Sequence, residues 1–364
     1  MTKGLHKMLL NRSNQRKKEV EIDNSLLTFL TVILAVLLAL VLATVAYYVV
    51  VKTTSPQFID APQAEDNEDM DFPFKQDITI SIMTADENKD SVQIDGVNSA
   101  NAALIDLTEG KVIASKKSST LIYPASMTKV MTLIVVCENL PNEEALNDVL
   151  EIKYPKGEHS GYGFNQGEKL TVEDLIYAAI LQSDGVACLT LADYIAGSEA
   201  NFVKLMNEKV KEMGLLEGDP EKNPSTNFTN CTGMHDQYHY TTAYDMGVIM
   251  AYAMKNDFCA KVLTTLQYRP SNNFRPGEGC VFWHNLIHEY LADGNTQPST
   301  AKITGGKTGW TGDDSGNCIV SYAMGKDGHE YILVTAKALA SDEKTTGKAN
   351  AKADMLYIYN NYIK

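Results

Sequence analysis

Residues Ser25 to Val51, SLLTFLTVILAVLLALVLATVAYYVVV, carry no charge and outlast the roughly 20 residues that a helix needs to cross a hydrocarbon core. That run divides the chain before any other feature does. Lys3, Lys7, Arg12, Arg16, Lys17 and Lys18 precede it, and cationic flanks stay on the cytoplasmic side. The expectation is a cytoplasmic basic tail over residues 1–24, a single transmembrane anchor over 25–51, and the remainder held outside the cytoplasmic membrane. A cleaved signal peptide is the other reading, but its apolar core would run only about 7 to 15 residues, and no clear A-x-A site follows.

Residues 52–76, KTTSPQFIDAPQAEDNEDMDFPFKQ, combine prolines with clustered Asp and Glu and show no apolar period, which predicts an acidic, flexible linker. Residues 77–364 remain for one folded domain. The formal net charge of −14 argues against a nucleic-acid partner, since phosphate binding needs Lys and Arg gathered on one face. Cys137, Cys188, Cys231, Cys259, Cys280 and Cys318 include no C-x-x-C pair, so neither a zinc site nor a dithiol redox motif is expected. Cys137 and Cys188 lie in apolar helical patterns that suit buried free thiols. The pairing of the six stays open.

DITISI, from Asp77, alternates like a strand, and ANAALIDLTEGKVIASKKSS reads as a hairpin turning at Glu-Gly. Helical patterns fill the middle. Thr171 with Asp174 and Thr242 with Asp245 form capping-box-like starts, and SEANFVKLMNEKVKEMGL keeps helical spacing until Gly214. Strand patterns return at KITGGKTGW, NCIVSYAM and EYILVTAKA before a last helix at AKADMLYIYNNYI. Strands at both ends with helices between them predict one α/β domain whose sheet draws on both ends of the chain. No internal repeat is present.

Within YPASMTKVMT, residues 123 to 132, Ser126 and Lys129 stand one helical turn apart on one face. A serine hydroxyl needs a neighbour to take its proton, and a lysine can do so once burial or another cation lowers its pKa. A serine three residues before a lysine is common at ordinary helix starts, so the pair alone decides little. A second cation changes the weighing: Lys307, on the strand GGKTGW, is followed by Thr308 and by Gly309, where a ligand can approach the backbone.

These two segments resemble those of the penicillin-binding, active-site-serine family, and within it the D-alanyl-D-alanine carboxypeptidases. YPASMTKVMT is similar to the S-x-x-K segment and GGKTGWT to the K-T-G segment, in the expected order. The resemblance runs from about Asn101 to the C-terminus and includes GEKLTVEDLIYAAILQSDGVACLTLADYIAGS and NFTNCTGMHDQYHYTTAYDMGVIM. It implies a β-lactamase/DD-peptidase-like α/β domain, with an antiparallel sheet from both chain ends and a helical region between. It also implies acyl transfer with peptidoglycan stem peptides as substrate, β-lactam antibiotics as covalent inhibitors and no cofactor. Ser126 would be the nucleophile, Lys129 its base and Ser183 a proton relay. Lys307, Thr308, Gly309 and Trp310 would bind substrate, the backbone N–H groups of Ser126 and Trp310 forming the oxyanion hole and Lys307 helping to keep Lys129 neutral. The chain ends soon after its last helix, so the β-rich domain and C-terminal amphipathic anchor of many relatives are not expected.

One segment departs from the family pattern. QSDGVAC supplies Ser183, Asp184 and Gly185 where S-x-N is usual, so the amide is missing and Asp184 is the candidate to replace it. Lys348 stands roughly where relatives place a carboxylate-gripping arginine, although a lysine offers a point charge rather than a fork. HDQYH and WHNLIHEY space His235 from His239, and His284 from His288, like metal ligands, but neither has a third ligand or the H-E-x-x-H pattern, which favours structural roles. Asn285 is expected at the rim of the site. Two rival functions remain: a β-lactamase, for which no segment identifies the deacylating glutamate, and a wall-peptide or penicillin sensor with little turnover, which Gly185 keeps open.

Overall fold

Both ends of the described chain contribute strands to one sheet. β1 (Val92–Gln93), β2 (Asn101–Asp106), β3 (Lys111–Lys116), β4 (Ala301–Gly309), β5 (Asn317–Gly325) and β6 (Glu330–Ala338) lie in the order β1-β3-β2-β6-β5-β4. The two ends meet at the antiparallel β2–β6 pair, where Leu104 faces Leu333 and Ala102 faces Thr335. β2 and β3 form the expected hairpin. Only the short edge pair β1–β3 runs parallel. The strand expected at DITISI does not form; Met83, just after it, alone bridges Lys111 in parallel, and Lys111 is the first residue of β3, so the residues before Met83 run past the end of that strand.

In the computed structural model the described residues are 76–155, 161–215, 226–270, 274–275, 279–312, 314–341 and 346–363, with the isolated positions 29 and 35. The expected basic tail, the anchor over 25–51 apart from positions 29 and 35, and the linker as far as residue 75 lie outside them. Among the described residues no helix is long and apolar enough to cross a membrane. The fold falls within the unit that runs from Gln63 to Lys364.

β2 is buried along its whole length, so neither of its faces meets water. Its alternate side chains enter two cores, Ala103 and Ile105 one of them, Ala102 and Leu104 the other. A strand hidden on both sides requires helices on both sides. One face carries α1 (Lys129–Asn139), α2 (Val172–Leu181), α3 (Gly185–Ala196), α4 (Glu199–Glu212), α5 (Ala243–Lys255) and α6 (Asp257–Thr264), with α5 packed on β2 and β6. The other carries α7 (Gly347–Tyr362), packed on β5 and β6.

Helix starts follow the sequence signals. Thr171 and Asp174 complete a capping box at α2, whereas Thr242 accepts the Asp245 N–H without the reciprocal bond. The edge strand β4 carries a register shift between Ile303 and Gly305. Such a bulge re-aims the residues that follow, and Lys307 is among them.

Candidate active site

Ser126 sits in a 3-10 turn, Ala125–Thr128, that runs straight into α1. Ala125 holds φ at +48°, the left-handed region that a side chain disfavours. Strain of this kind persists only where the surroundings enforce it. Lys129 opens α1, and its Nζ donates to Ser126 Oγ at 3.0 Å and to the Thr232 carbonyl at 2.6 Å. The turn thus presents hydroxyl and amine to each other, as the spacing predicts.

Ser183 lies between α2 and α3, also left-handed at φ +57°. Lys307 Nζ donates to its Oγ at 2.9 Å and to the Thr308 carbonyl at 2.8 Å. Lys129 and Lys307 are each only 1% exposed. Burial pulls Lys129 below the usual lysine range, against the opposing influence of Cys188, Cys231 and Asp184. Lys307 is pushed well below it, by burial first and by the charge of Lys129 second. Two ammonium groups in one dry site oppose each other's protonation. Burial is thus the first cause that lowers Lys129, where the sequence reading looks to Lys307 for help in keeping it neutral.

A loop and the end of β4 close on the nucleophile turn. A Cβ on Gly233 would meet the Ala125 carbonyl oxygen at 2.0 Å, and one on Gly309 would meet Pro124 O at 2.9 Å and Ser126 N at 3.0 Å. Only glycine permits that approach. Beyond Gly309, Trp310 is 63% exposed at the mouth. His235 stands 3.8 Å from Asp314 and edge-on to the Tyr123 ring at 4.6 Å. Thr232, Gly233 and His239, which sequence reasoning left out of the site, all come from this loop. Its one visible signal was the position of CTGMHDQYH inside a stretch similar to the family.

Asp184 does not replace the missing amide. Its carboxylate caps α3 by accepting the Ala187 N–H at 2.8 Å, and it also accepts the Gly163 N–H at 3.1 Å. Gly185 is the first residue of α3. Lys348 pairs with Glu289 at 2.5 Å and lies 4.8 Å over the Tyr290 ring, so its charge already has partners. His284 is buried, with Nε2 3.0 Å from the Leu263 carbonyl, and Asn285 beside it is half-buried. All six cysteines are free, and all but Cys280 are buried.

Among the described residues one group has metal-ligating side chains close together: Asp106, Glu109 and His329, at the β2–β3 turn and the start of β6. His329 pairs with Asp106 at 2.8 Å and Lys111 with Glu109, which makes it an ion-pair cluster. A cavity of about 970 Å³ lined by Ile80, Glu87, Met213, Tyr244 and Asp245, among others, shares no residue with the serine–lysine site.

A serine bonded to a buried lysine, beside a second buried lysine on a sheet edge, defines a class of proteins equipped for nucleophilic chemistry at serine. Residues 87–339 match the peptidase S11 family model, described as D-alanyl-D-alanine carboxypeptidase. The chain belongs to that family. It is 32% identical over 223 residues to a D-alanyl-D-alanine carboxypeptidase of Bacillus subtilis, covering 58% of this chain and 51% of that protein. To one from Escherichia coli it is 30% identical over 259 residues, covering 68% and 59%. The chain thus spans about half the length of such curated relatives. Penicillin-binding protein 5 of Haemophilus influenzae superposes with a TM-score of 0.58 at 24% identity, over 73% of this chain and 71% of that one. A D-alanyl-D-alanine carboxypeptidase of Mycobacterium tuberculosis gives 0.59 at 23%, over 76% and 96%. These likenesses establish the β-lactamase/DD-peptidase-like fold.

Proposed function

We propose that this chain is a serine D-alanyl-D-alanine carboxypeptidase that removes the terminal D-alanine from peptidoglycan stem peptides. The observation that carries the reading is the 3.0 Å bond between Lys129 Nζ and Ser126 Oγ inside a buried turn. Ser126 Oγ attacks the carbonyl between the last two D-alanines while Lys129 takes its proton. The N–H groups of Ser126 and Trp310 receive the oxyanion, each such donor being worth about 2.7 to 4 kcal/mol in the transition state. Ser183, bonded to Lys307, passes a proton to the leaving amine. Water then hydrolyses the acyl-enzyme on Ser126. The terminal carboxylate binds Lys307 and Thr308, and its charge favours the protonated Lys307 that burial opposes.

The proposal extends to location. The uncharged run from Ser25 to Val51 and the basic tail before it support a single-pass protein of the cell membrane with its catalytic domain outside. β-Lactams are the covalent inhibitors expected of the site. Incubation with benzylpenicillin followed by peptide mass spectrometry is the test: the adduct falls on Ser126 and disappears in Ser126→Ala. An adduct on Ser183, or one that survives Ser126→Ala, contradicts the assignment. A mature protein in the medium beginning near Tyr47 contradicts the anchor.

A further inference from the structure

His239 is 2% exposed, and both of its ring nitrogens are engaged. The Thr229 backbone N–H donates to Nδ1 at 3.0 Å. Nδ1 therefore presents a lone pair, and the ring proton sits on Nε2, which donates to Thr128 Oγ1 at 2.8 Å. Thr128 lies between the nucleophile and its base in the turn that carries Ser126. The same loop supplies the Thr232 carbonyl to Lys129 Nζ at 2.6 Å and the Cys231 carbonyl to Thr132 Oγ1 at 2.7 Å. One imidazole thus ties the loop that holds Lys129 to the turn that holds Ser126. The Phe228 ring, edge-on at 5.4 Å, fixes its plane.

We propose that His239 is a positioning residue for acylation, its Nε2–H bond to Thr128 setting the Ser126 turn against the Thr232 carbonyl that aims Lys129. The inference rests on the serine acyl-transfer reading above. Burial keeps the ring neutral; Asp236 favours its protonation, while His235 and Lys129, when they carry charge, oppose it. A second proton, on Nδ1, would set a donor against the Thr229 N–H and undo the bridge.

The test compares the maximal rate of Ser126 acylation by benzylpenicillin with the concentration giving half that rate. Thr128→Val and His239→Asn, which retains an acceptor for Thr229 only, are each expected to slow the maximal rate about ten- to a hundredfold, with half-saturation unchanged. The double variant should be no slower than either single one, because both remove the same bond. His239→Gln, whose amide reaches Thr128, should recover most of the rate. Folded variants that acylate at the wild-type rate, or losses that multiply in the double variant, overturn the proposal. Ring ¹⁵N shifts of the wild-type protein give a second readout that no substitution can spoil: neutral Nε2–H at pH 7 supports it, and a charged or Nδ1–H ring overturns it. A wild type that forms no adduct at all removes the acyl-transfer reading and this inference together, whereas a labelled wild type with unaffected variants removes this inference alone.

Discussion

In the proposed role as base, Lys129 acts only when neutral, and its burial favours that form. Its pKa lies below the ordinary lysine value, so the neutral fraction grows as pH rises through that lowered value. Acylation should therefore climb with pH and level off below about 10.4, the usual lysine midpoint. A rate that keeps rising to that pH would place an ordinary, solvated lysine at the site. Gly185 poses the second question at this scale. Its backbone is helical and not left-handed, so Gly185→Asn introduces no backbone strain. Because Asp184 is engaged elsewhere, the added amide should raise turnover of a D-alanyl-D-alanine peptide, by about tenfold if it restores one hydrogen bond of roughly 1.4 kcal/mol in the transition state. Slower release of D-alanine from that variant would mean that another group already fills the role.

At the scale of elements, Asp184 joins α3 to the loop at Gly163 through one carboxylate. Asp184→Ala removes the cap and leaves both N–H groups without that acceptor, at a cost of about 1 to 2 kcal/mol for the cap alone. Denaturant unfolding should show at least that loss, and Asp184→Asn, which keeps an oxygen, should show less. An unchanged midpoint in Asp184→Ala would deny the cap any weight. Features of this kind separate what the sequence revealed from what it hid. Ser126 and Lys129 were legible because a helical turn fixes their relation, and Lys307 because a strand and two small neighbours frame it. Ser183, the proposed relay, needed the family resemblance, since nothing local marks such a role. Thr232 and His239 were hidden because they reach α1 and its turn from about a hundred residues away, through a loop without periodicity. DITISI showed the opposite failure: its alternation was real, but Met83, the residue after it, already stands opposite the first residue of β3, so the segment has no strand beside it to pair with.

Across the whole molecule, buried histidines should contribute to the response to acid. Burial lowers His239 and His284 from 6.5 to about 4, so the unfolded chain takes up protons first as pH falls. Each contributes stability that is complete above about pH 6.5 and lost toward pH 4, about 3 kcal/mol apiece by linkage. Asp245 works the other way: burial raises it from 3.8 to about 6, so its contribution is lost as pH rises through that window, again about 3 kcal/mol. Asp184 and Glu173 are raised by burial too and act with Asp245, so the His284 ring is read by comparison: His284→Gln should lose less unfolding free energy than the wild type between pH 6.5 and 4, and an equal loss would contradict the burial of that ring. Function is tested most directly by incubating the full chain with a stem pentapeptide ending in D-alanyl-D-alanine and measuring free D-alanine. The result expected is steady release that stops in Ser126→Ala; a chain that acylates with penicillin yet frees no D-alanine from such a peptide would contradict the carboxypeptidase reading.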